Sequence, residues 1–580
     1  MTRFSIFSRI PCPRMARYFP IFHWLRFYSR RDLNGDLFAG VITAILLIPQ
    51  GIAYAMVAGL PVQMGLYASI LPPFFYALTG TSRVLSVGPV SIAAIMVLAA
   101  LSTPEVSALG NPMESAVILA AEGGIILLLM ALFRLGGIVK LISHPVLTGF
   151  TSGAAILIIL SQLSHVIGVQ FKSCEPELSC LATTLTNFNA TALLLAGTTL
   201  LIMLCFGKPL AYVLERLSFS EAIAVGLSKC APILAVFGTS TAVYWFDLNG
   251  LLNVAVVGDV PAGLPRLSLD FIGSPKWQML LPFSAMIALI AYIESVAISK
   301  VVANITRQKI DPNQELIALG GANLMTALSG GMSVAGGFSR TMVNFSAGAR
   351  TQLAMLVAVS IVTIAMLFFT AGFYFIPKAT LAAIIIMAVL PLVRLNSIIK
   401  TWRYDNCEGA SEVVTLLGVL LLGIEEGLAI GVIMTFVSHI RKVSHPHIAV
   451  VGRVPGTEHF RNERRHTVQT WDTLLLLRID ESMTYHNIIF IEEFVNGELT
   501  QHPDARSVVL IFASVSNIDA TALEVLVNLN KELSLANIKL CLSEVKGPVM
   551  DRLERTEFLA QLTPERVFLT TEQAVKTLLD

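Results

Sequence analysis

From Asp36 to about Val443 the chain is a succession of apolar runs parted by short polar turns. A helix needs roughly 20 residues to cross a hydrocarbon core, and spacing the runs at that length predicts about fourteen spans. Two of them are interrupted in the same manner, at Ser86-Val-Gly-Pro-Val-Ser91 and at Ser333-Val-Ala-Gly-Gly-Phe-Ser339. Non-helical backbone survives at bilayer depth only where protein or a cavity surrounds it. Matching breaks in two halves of a chain point to the binding site of a transporter. Gly88, Gly336 and Gly337 let the backbone turn sharply there, and Pro89 suits a first helical position, where its missing N–H costs nothing.

Past Arg465 charged residues become frequent and no run is long enough to span a membrane. Thr473–Ile479, Ser507–Phe512 and Ile538–Leu542 read as buried strands, and Ala520–Leu535 and Gly547–Leu562 carry helical periodicity. Strands alternating with helices predict a small α/β domain. The expected organisation is a basic arm over residues 1–33, a transmembrane domain over 34–443 with halves at about 34–246 and 280–443, a linker at 444–465, and a soluble domain at 466–580.

Composition sharpens the membrane assignment. Hydrophobic residues make up 55% of the 580 and charged ones 14%, with mean hydropathy +0.72, against roughly 25% charged in soluble domains. The net charge of +1 matters less than where the charges lie. With the N-terminus inside, Arg83, Arg134 and Lys140, Lys300 and Arg307, Arg350, and Arg394, Lys400 and Arg403 all fall in inner loops, as the positive-inside rule demands. Both termini are therefore expected in the cytoplasm of a cell with a multi-pass inner membrane. Arg3, Arg9, Arg14 and Arg17 lie among aromatic residues without an apolar signal core, so the arm reads as a membrane-surface segment, not a signal peptide.

Ile52-Ala-Tyr54 is echoed by Ile290-Ala-Tyr292, and the first glycine break by the second, each pair roughly 240 residues apart. Seven spans per half place the second copy upside down, the inverted-repeat construction of many transporters. The seven cysteines show no metal or redox spacing. Cys174 and Cys180 share an outer loop, where an oxidising exterior allows a disulfide. No catalytic triad, metal cluster, nucleotide loop or nucleic-acid motif appears, so no enzyme activity and no cofactor are expected.

Longer motifs carry a family resemblance. Asp36-Leu-Phe-Ala-Gly-Val, Leu47-Ile-Pro-Gln-Gly-Ile-Ala-Tyr-Ala55, Gly80-Thr-Ser-Arg-Val-Leu-Ser-Val-Gly-Pro89, Asp311-Pro-Asn-Gln-Glu-Leu and Gly336-Gly-Phe-Ser-Arg-Thr-Met-Val-Asn344 resemble the sulfate permease (SulP) family of anion transporters. Ser516-Asn-Ile-Asp-Ala-Thr-Ala-Leu523 resembles the STAS domain that members carry. The resemblance implies fourteen spans in a seven-plus-seven inverted repeat, a core domain moving against a gate domain, and an anion held between the half-helices of spans 3 and 10. It also implies a homodimer. Thr521 occupies the phosphorylated position of bacterial STAS regulators, although Ala520 and Ala522 depart from that pattern; a docking surface for protein partners is the alternative.

Two facing helix N-termini supply about one positive charge together with unpaired N–H groups. Ser91 and Ser339 can donate to an oxyanion or merely cap their helices, with Val90 and Phe338 beside them. Arg340 adds a full charge if it turns toward the cavity. Gln50 is a candidate substrate donor, and Tyr54, one turn on, either contacts substrate or packs. Glu294, amid apolar residues, is costly unless paired, hydrated or protonated. It reads either as a salt-bridge partner of Arg340 or as the carrier of a coupled proton, with sodium the less favoured coupling ion. A passive channel or a sensor signalling through the tail remains a different use of the same cavity.

Overall fold

Short polar signals set the helix boundaries. Ser29 and Asp32 form a reciprocal capping box at the start of the first long helix, and Asn111, Asp311 and Asp405 each accept first-turn amides ahead of later ones. Such caps satisfy donors that the helix itself leaves unpaired. The computed structural model describes residues 18–579 except 27, 109, 141–142, 170–187, 207–208, 211, 213–215, 217–229 and 563. The proposed Cys174–Cys180 disulfide lies outside the described residues. The chain divides into two units, Met1–Val432 and Ile433–Asp580.

The first unit is helical. A short α1 (Ile21–Leu25) precedes α2 (Arg30–Val57), α3 (Val62–Tyr67), α4 (Leu71–Thr79), strand β1 (Val87–Gly88), α5 (Ser91–Ser102), α6 (Pro112–Leu132), α7 (His144–Ile167), α8 (Ala190–Cys205) and α9 (Ala231–Trp245). The second half has α10 (Trp277–Thr306), α11 (Pro312–Leu328), β2 (Ala335–Gly336), α12 (Phe338–Ser346), α13 (Leu353–Phe368), α14 (Lys378–Val389), α15 (Leu395–Tyr404), α16 (Asn406–Leu421) and α17 (Ile424–Ser444). Taking α3 with α4 as one span and setting α1 and the amphipathic α15 aside, each half has seven positions. Six helices among the described residues are long and apolar enough to cross a membrane. The 12-residue α5 and 9-residue α12 are not; at 1.5 Å per residue they reach only about half-way.

These half-helices meet at their starts. β1 and β2 pair antiparallel, Val87 opposite Gly336 and Gly88 opposite Ala335, so the two glycine breaks form one two-stranded ribbon inside the unit. Every residue of the ribbon is buried, and the pairing satisfies backbone groups that no water can reach. The helices of the core pack around it through residues such as Leu47, Ile52, Ile92, Ile290, Val334 and Met355.

The second unit is a six-stranded sheet in the order β4-β3-β5-β6-β7-β8. Its elements are β3 (Ile448–Arg453), β4 (Phe460–Asn462), β5 (Leu474–Ile479), α18 (Ile488–Gln501), β6 (Ser507–Ile511), α19 (Ala520–Leu535), β7 (Lys539–Ser543), α20 (Gly547–Leu553), α21 (Phe558–Leu562), β8 (Val567–Phe568) and α22 (Thr571–Leu579). β5 to β8 run parallel, while β3 is antiparallel to both its neighbours. Leu475, Leu477, Val508, Leu510, Leu540 and Leu542 fill one face and Leu474, Leu476, Val509, Ile511 and Cys541 the other. Burial on both faces explains why these strands read as unbroken apolar runs.

Two expectations need correction. The segment read as a linker, 444–465, carries β3 and β4 of the sheet; short strands with intervening arginines give little periodicity. The helix read over Gly547–Leu562 is two helices, because the polar stretch from Glu554 to Glu557 interrupts it.

Candidate functional site

A cavity of about 590 Å³ opens where the two half-helices begin. Gln50, Tyr54, Val90, Ser91, Glu294, Phe338, Ser339 and Arg340, all singled out from sequence, line it. Of the glycine and proline breaks, Gly337 reaches the wall; Gly88, Pro89 and Gly336 lie behind it.

The backbone around the cavity is fixed by side chains from neighbouring helices. Asn323 on α11 accepts from Val334 N at 3.0 Å and donates to Val334 O at 3.0 Å. Ser295 Oγ on α10 accepts from Gly336 N at 2.8 Å, and Gly337 N donates to Ser86 O at 3.0 Å. Thr341 Oγ1 in turn accepts from Ser86 N, so each break holds the other. Neither Val90 nor Gly337, the residues preceding α5 and α12, caps its helix with a side chain. The first-turn amides of both helices are thus without a side-chain cap from the preceding residue, and Ser91, Phe338, Ser339 and Arg340 of those turns line the cavity.

Pro89 is not a first helical residue. α5 begins at Ser91 with Val90 extended before it, which leaves the Pro89 carbonyl free to accept from Arg340. That arginine is 1% exposed. Its Nη1 donates to Pro89 O at 2.6 Å and to Gln50 Oε1 at 3.1 Å, and its Nε to Ser86 Oγ at 3.4 Å. Nη2 has no partner. A side chain from the second half is thereby oriented by three acceptors from the first, and its Nη2 is buried without a partner. Gln50 acts on the charge as well as on the cavity wall. The guanidinium packs closely on both breaks: a Cβ on Gly337 would lie 3.0 Å from Nη2, and one on Gly88 would lie 3.2 Å from Nη2 and from the Leu47 side chain.

Glu294 lines the same cavity, and its Oε2 is buried with no hydrogen-bond partner. Neither it nor Arg340 forms an ion pair within 4.0 Å among the described residues, so the salt-bridge reading is absent from this structure. The ends are unequal: Val90 and Ser91 are buried, while Phe338 and Ser339 are exposed to the cavity. Tyr54 faces the cavity, whereas Tyr292 is fully buried and donates to Gly136 O and Pro312 O. The tripeptide echo therefore does not put the two tyrosines in equivalent places.

Sequence reading missed the opposite wall. Met203, Ala231, Pro232, Ile384, Met387, Ala388, Pro391 and Leu392 line it, as does Arg394. Apolar side chains that line a cavity look, in sequence, like those that face lipid; only Arg394 carried a signal, as an inner-loop charge. Thr521 is the second residue of α19 and is exposed. Among the described residues no cluster of His, Cys, Asp and Glu is arranged to hold a metal.

Comparisons with known proteins add an independent line. The sulfate permease family profile matches residues 33–415 and the STAS domain profile residues 465–574. The chain is 34% identical over 579 residues to an Arabidopsis thaliana protein named "Probable sulfate transporter 4.2", covering 96% of this chain and 83% of that one. It is 33% identical to "Sulfate transporter 4.1, chloroplastic" of the same plant, covering 97% and 82%. Among solved structures, murine Slc26a9, described as an anion transporter in the inward-facing state, superposes with a TM-score of 0.83 at 19% identity over 99% of this chain and 96% of that one. The transmembrane domain of the cyanobacterial bicarbonate transporter BicA gives 0.56 at 24% identity over 70% of this chain and 98% of that one.

Proposed function

Because the chain belongs to the sulfate permease family, whose profile spans its membrane unit, we propose that it carries a small oxyanion, sulfate first, across the membrane together with a proton. The carrying observation is Arg340, which lines a cavity of about 590 Å³ between two half-helix starts that have no side-chain cap, and whose buried Nη2 has no hydrogen-bond partner. Such a site suits a tetrahedral oxyanion, which offers several acceptors to amides, hydroxyls and a guanidinium at once. The names of the relatives favour sulfate as substrate.

Coupling rests on Glu294. The half-helix ends contribute about +1 together; Arg340 adds one positive charge and an ionised Glu294 subtracts one. Protonating Glu294 raises the sum from about +1 to about +2, so proton and anion bind cooperatively, and the linkage is reciprocal. An inside-negative potential opposes anion entry by roughly 2.3 kcal/mol per charge per 100 mV, and a co-transported proton offsets one such charge. Translocation is by alternating access: the half-helix core carries its cargo past the gate wall of α8, α9 and α14. Both termini lie in the cytoplasm, and the protein works as a homodimer whose STAS domain receives partners.

Counterflow in proteoliposomes against labelled sulfate, bicarbonate, chloride, nitrate and a C4-dicarboxylate, at two pH values and with or without sodium, tests the substrate and the coupling together. Sulfate uptake should rise as the pH falls. Glu294→Gln should remove that pH dependence while sparing sulfate exchange; an unchanged dependence would exclude Glu294 as the proton carrier.

A further inference from the structure

A second cavity, of about 520 Å³, opens on the first unit at the end of α10 opposite its outer start, remote in composition from the site above. Its wall includes His23 and Trp24 of α1, Thr81 and Arg83 of the turn between α4 and β1, and Arg307 and Lys309 just beyond α10. Three separate elements thus converge four basic side chains on one hollow, and no acidic residue lines it.

The two nearest carboxylates in sequence, Asp311 and Glu315, do not line it. Glu315 is fully buried and accepts from Tyr76 Oη, from the amide and hydroxyl of Thr81, and from Ser82 N. Asp311 Oδ1 caps α11 through Asn313 N and Gln314 N. Arg83, Arg307 and Lys309 form no ion pair or side-chain hydrogen bond among the described residues. Trp24 is 5% exposed and its Nε1 has no partner.

A cation beyond a helix C-terminus is favourable in itself, which accounts for Arg307 and not for Arg83 and His23 facing the same hollow. The framework is also braced: Gln314 Nε2 donates to Tyr18 O at 3.0 Å and to Thr79 O at 2.8 Å, tying the segment before α1 to the turn that carries Arg83. A fixed concavity with unpaired cations and an aromatic wall is what a multiply charged anion recognises.

We propose that this hollow binds a phosphate-bearing ligand, a phosphomonoester either on a lipid headgroup or on a free solute. Occupancy would clamp α1, the turn leading into β1 and the end of α10, the helix that bears Glu294. The site is thus a place from which the transport core can be stabilised without touching the anion cavity.

The test uses the purified full chain in detergent and in vesicles. Thermal stabilisation is measured with phosphatidic acid against phosphatidylcholine, and separately with inositol hexakisphosphate or inorganic phosphate. Stabilisation by phosphatidic acid alone identifies a lipid source; stabilisation by the soluble phosphates identifies a free solute, and either supports the site. The triple variant Arg83→Gln/Arg307→Gln/Lys309→Gln should weaken the effective ligand by roughly a hundredfold, at about fivefold per basic group. Lys400→Gln/Arg403→Gln on α15 should not. Should the triple variant fail to fold, Lys309→Glu alone, at an exposed position, carries the same comparison. No stabilisation by any of these ligands, or an equal loss in the α15 variant, overturns the proposal.

Discussion

Arg340 combines two demands that conflict in most side chains: it must be held rigidly, and it must keep a donor free. The planar guanidinium meets both, since Nη1 and Nε take Pro89 O, Gln50 Oε1 and Ser86 Oγ while Nη2 stays unpartnered. Lysine is a point charge on a flexible stem and cannot hold these acceptors in a fixed fork. Arg340→Lys should therefore keep the protein folded and still weaken sulfate binding by about tenfold or more, as one lost charge-assisted hydrogen bond implies, measured by sulfate-dependent thermal shift. The flanking glycines separate two effects. Gly88 has φ 155°, a conformation that strains an L side chain by about 1–3 kcal/mol, whereas Gly337 sits at φ −91°. Gly337→Ala should raise the half-saturating sulfate concentration with little loss of stability, its Cβ pressing on Nη2 from 3.0 Å. Gly88→Ala should do that and also lower the melting temperature; equal melting temperatures for the two would contradict the backbone reading.

At the scale of elements, the half-helices depend on groups outside them. Asn323 satisfies both the N–H and the C=O of buried Val334, and an orphaned buried polar group costs about 1–3 kcal/mol. Asn323→Ala should destabilise the membrane unit by several kcal/mol and impair binding with the cavity residues intact; hydrogen exchange at Val334 would report it. In the soluble unit, Asp480 accepts from Arg478 and from His447. Burial raises its pKa and these partners more than compensate, so the carboxyl is held below its ordinary range. A depressed folded pKa gives stability that is present above the unfolded value and lost as pH falls through the folded one. Asp480→Asn should therefore speed exchange in β3 and β5 at neutral pH, with the difference from the natural chain fading in acid. The glycine breaks were legible because nothing else explains such a sequence in an apolar run. β3 and β4 were not, being short and punctuated by arginine, and neither was the cavity's far wall, since Met203, Ile384 and Met387 are chemically the same whether they face lipid or solute. Arg340 was identifiable as a charge, but that it would be oriented by Pro89 and Gln50, some 250 to 290 positions away, follows only from the two breaks pairing as a ribbon.

Across the whole molecule, labour is divided between a membrane unit that contains every residue of the anion cavity and a second unit that contains none. Removing residues 446–580, which carry the whole six-stranded sheet, should lower assembly or transport rate while leaving sulfate-dependent stabilisation of the membrane unit in place, measured on the truncated chain in detergent. If that stabilisation vanished in a truncated chain that still folded, the division would be wrong. The central claim, that two helices starting inside the membrane unit hold an oxyanion between their amide ends, is tested most directly by locating the anion. Selenate, an anomalously scattering analogue of sulfate, should give one dominant peak in the cavity, about 3 Å from Arg340 Nη2 and from the first-turn amides at Ser91 and Ser339, and Arg340→Gln should remove it. An empty cavity in a selenate-transporting protein, with the ion bound elsewhere in the membrane unit, would contradict the account.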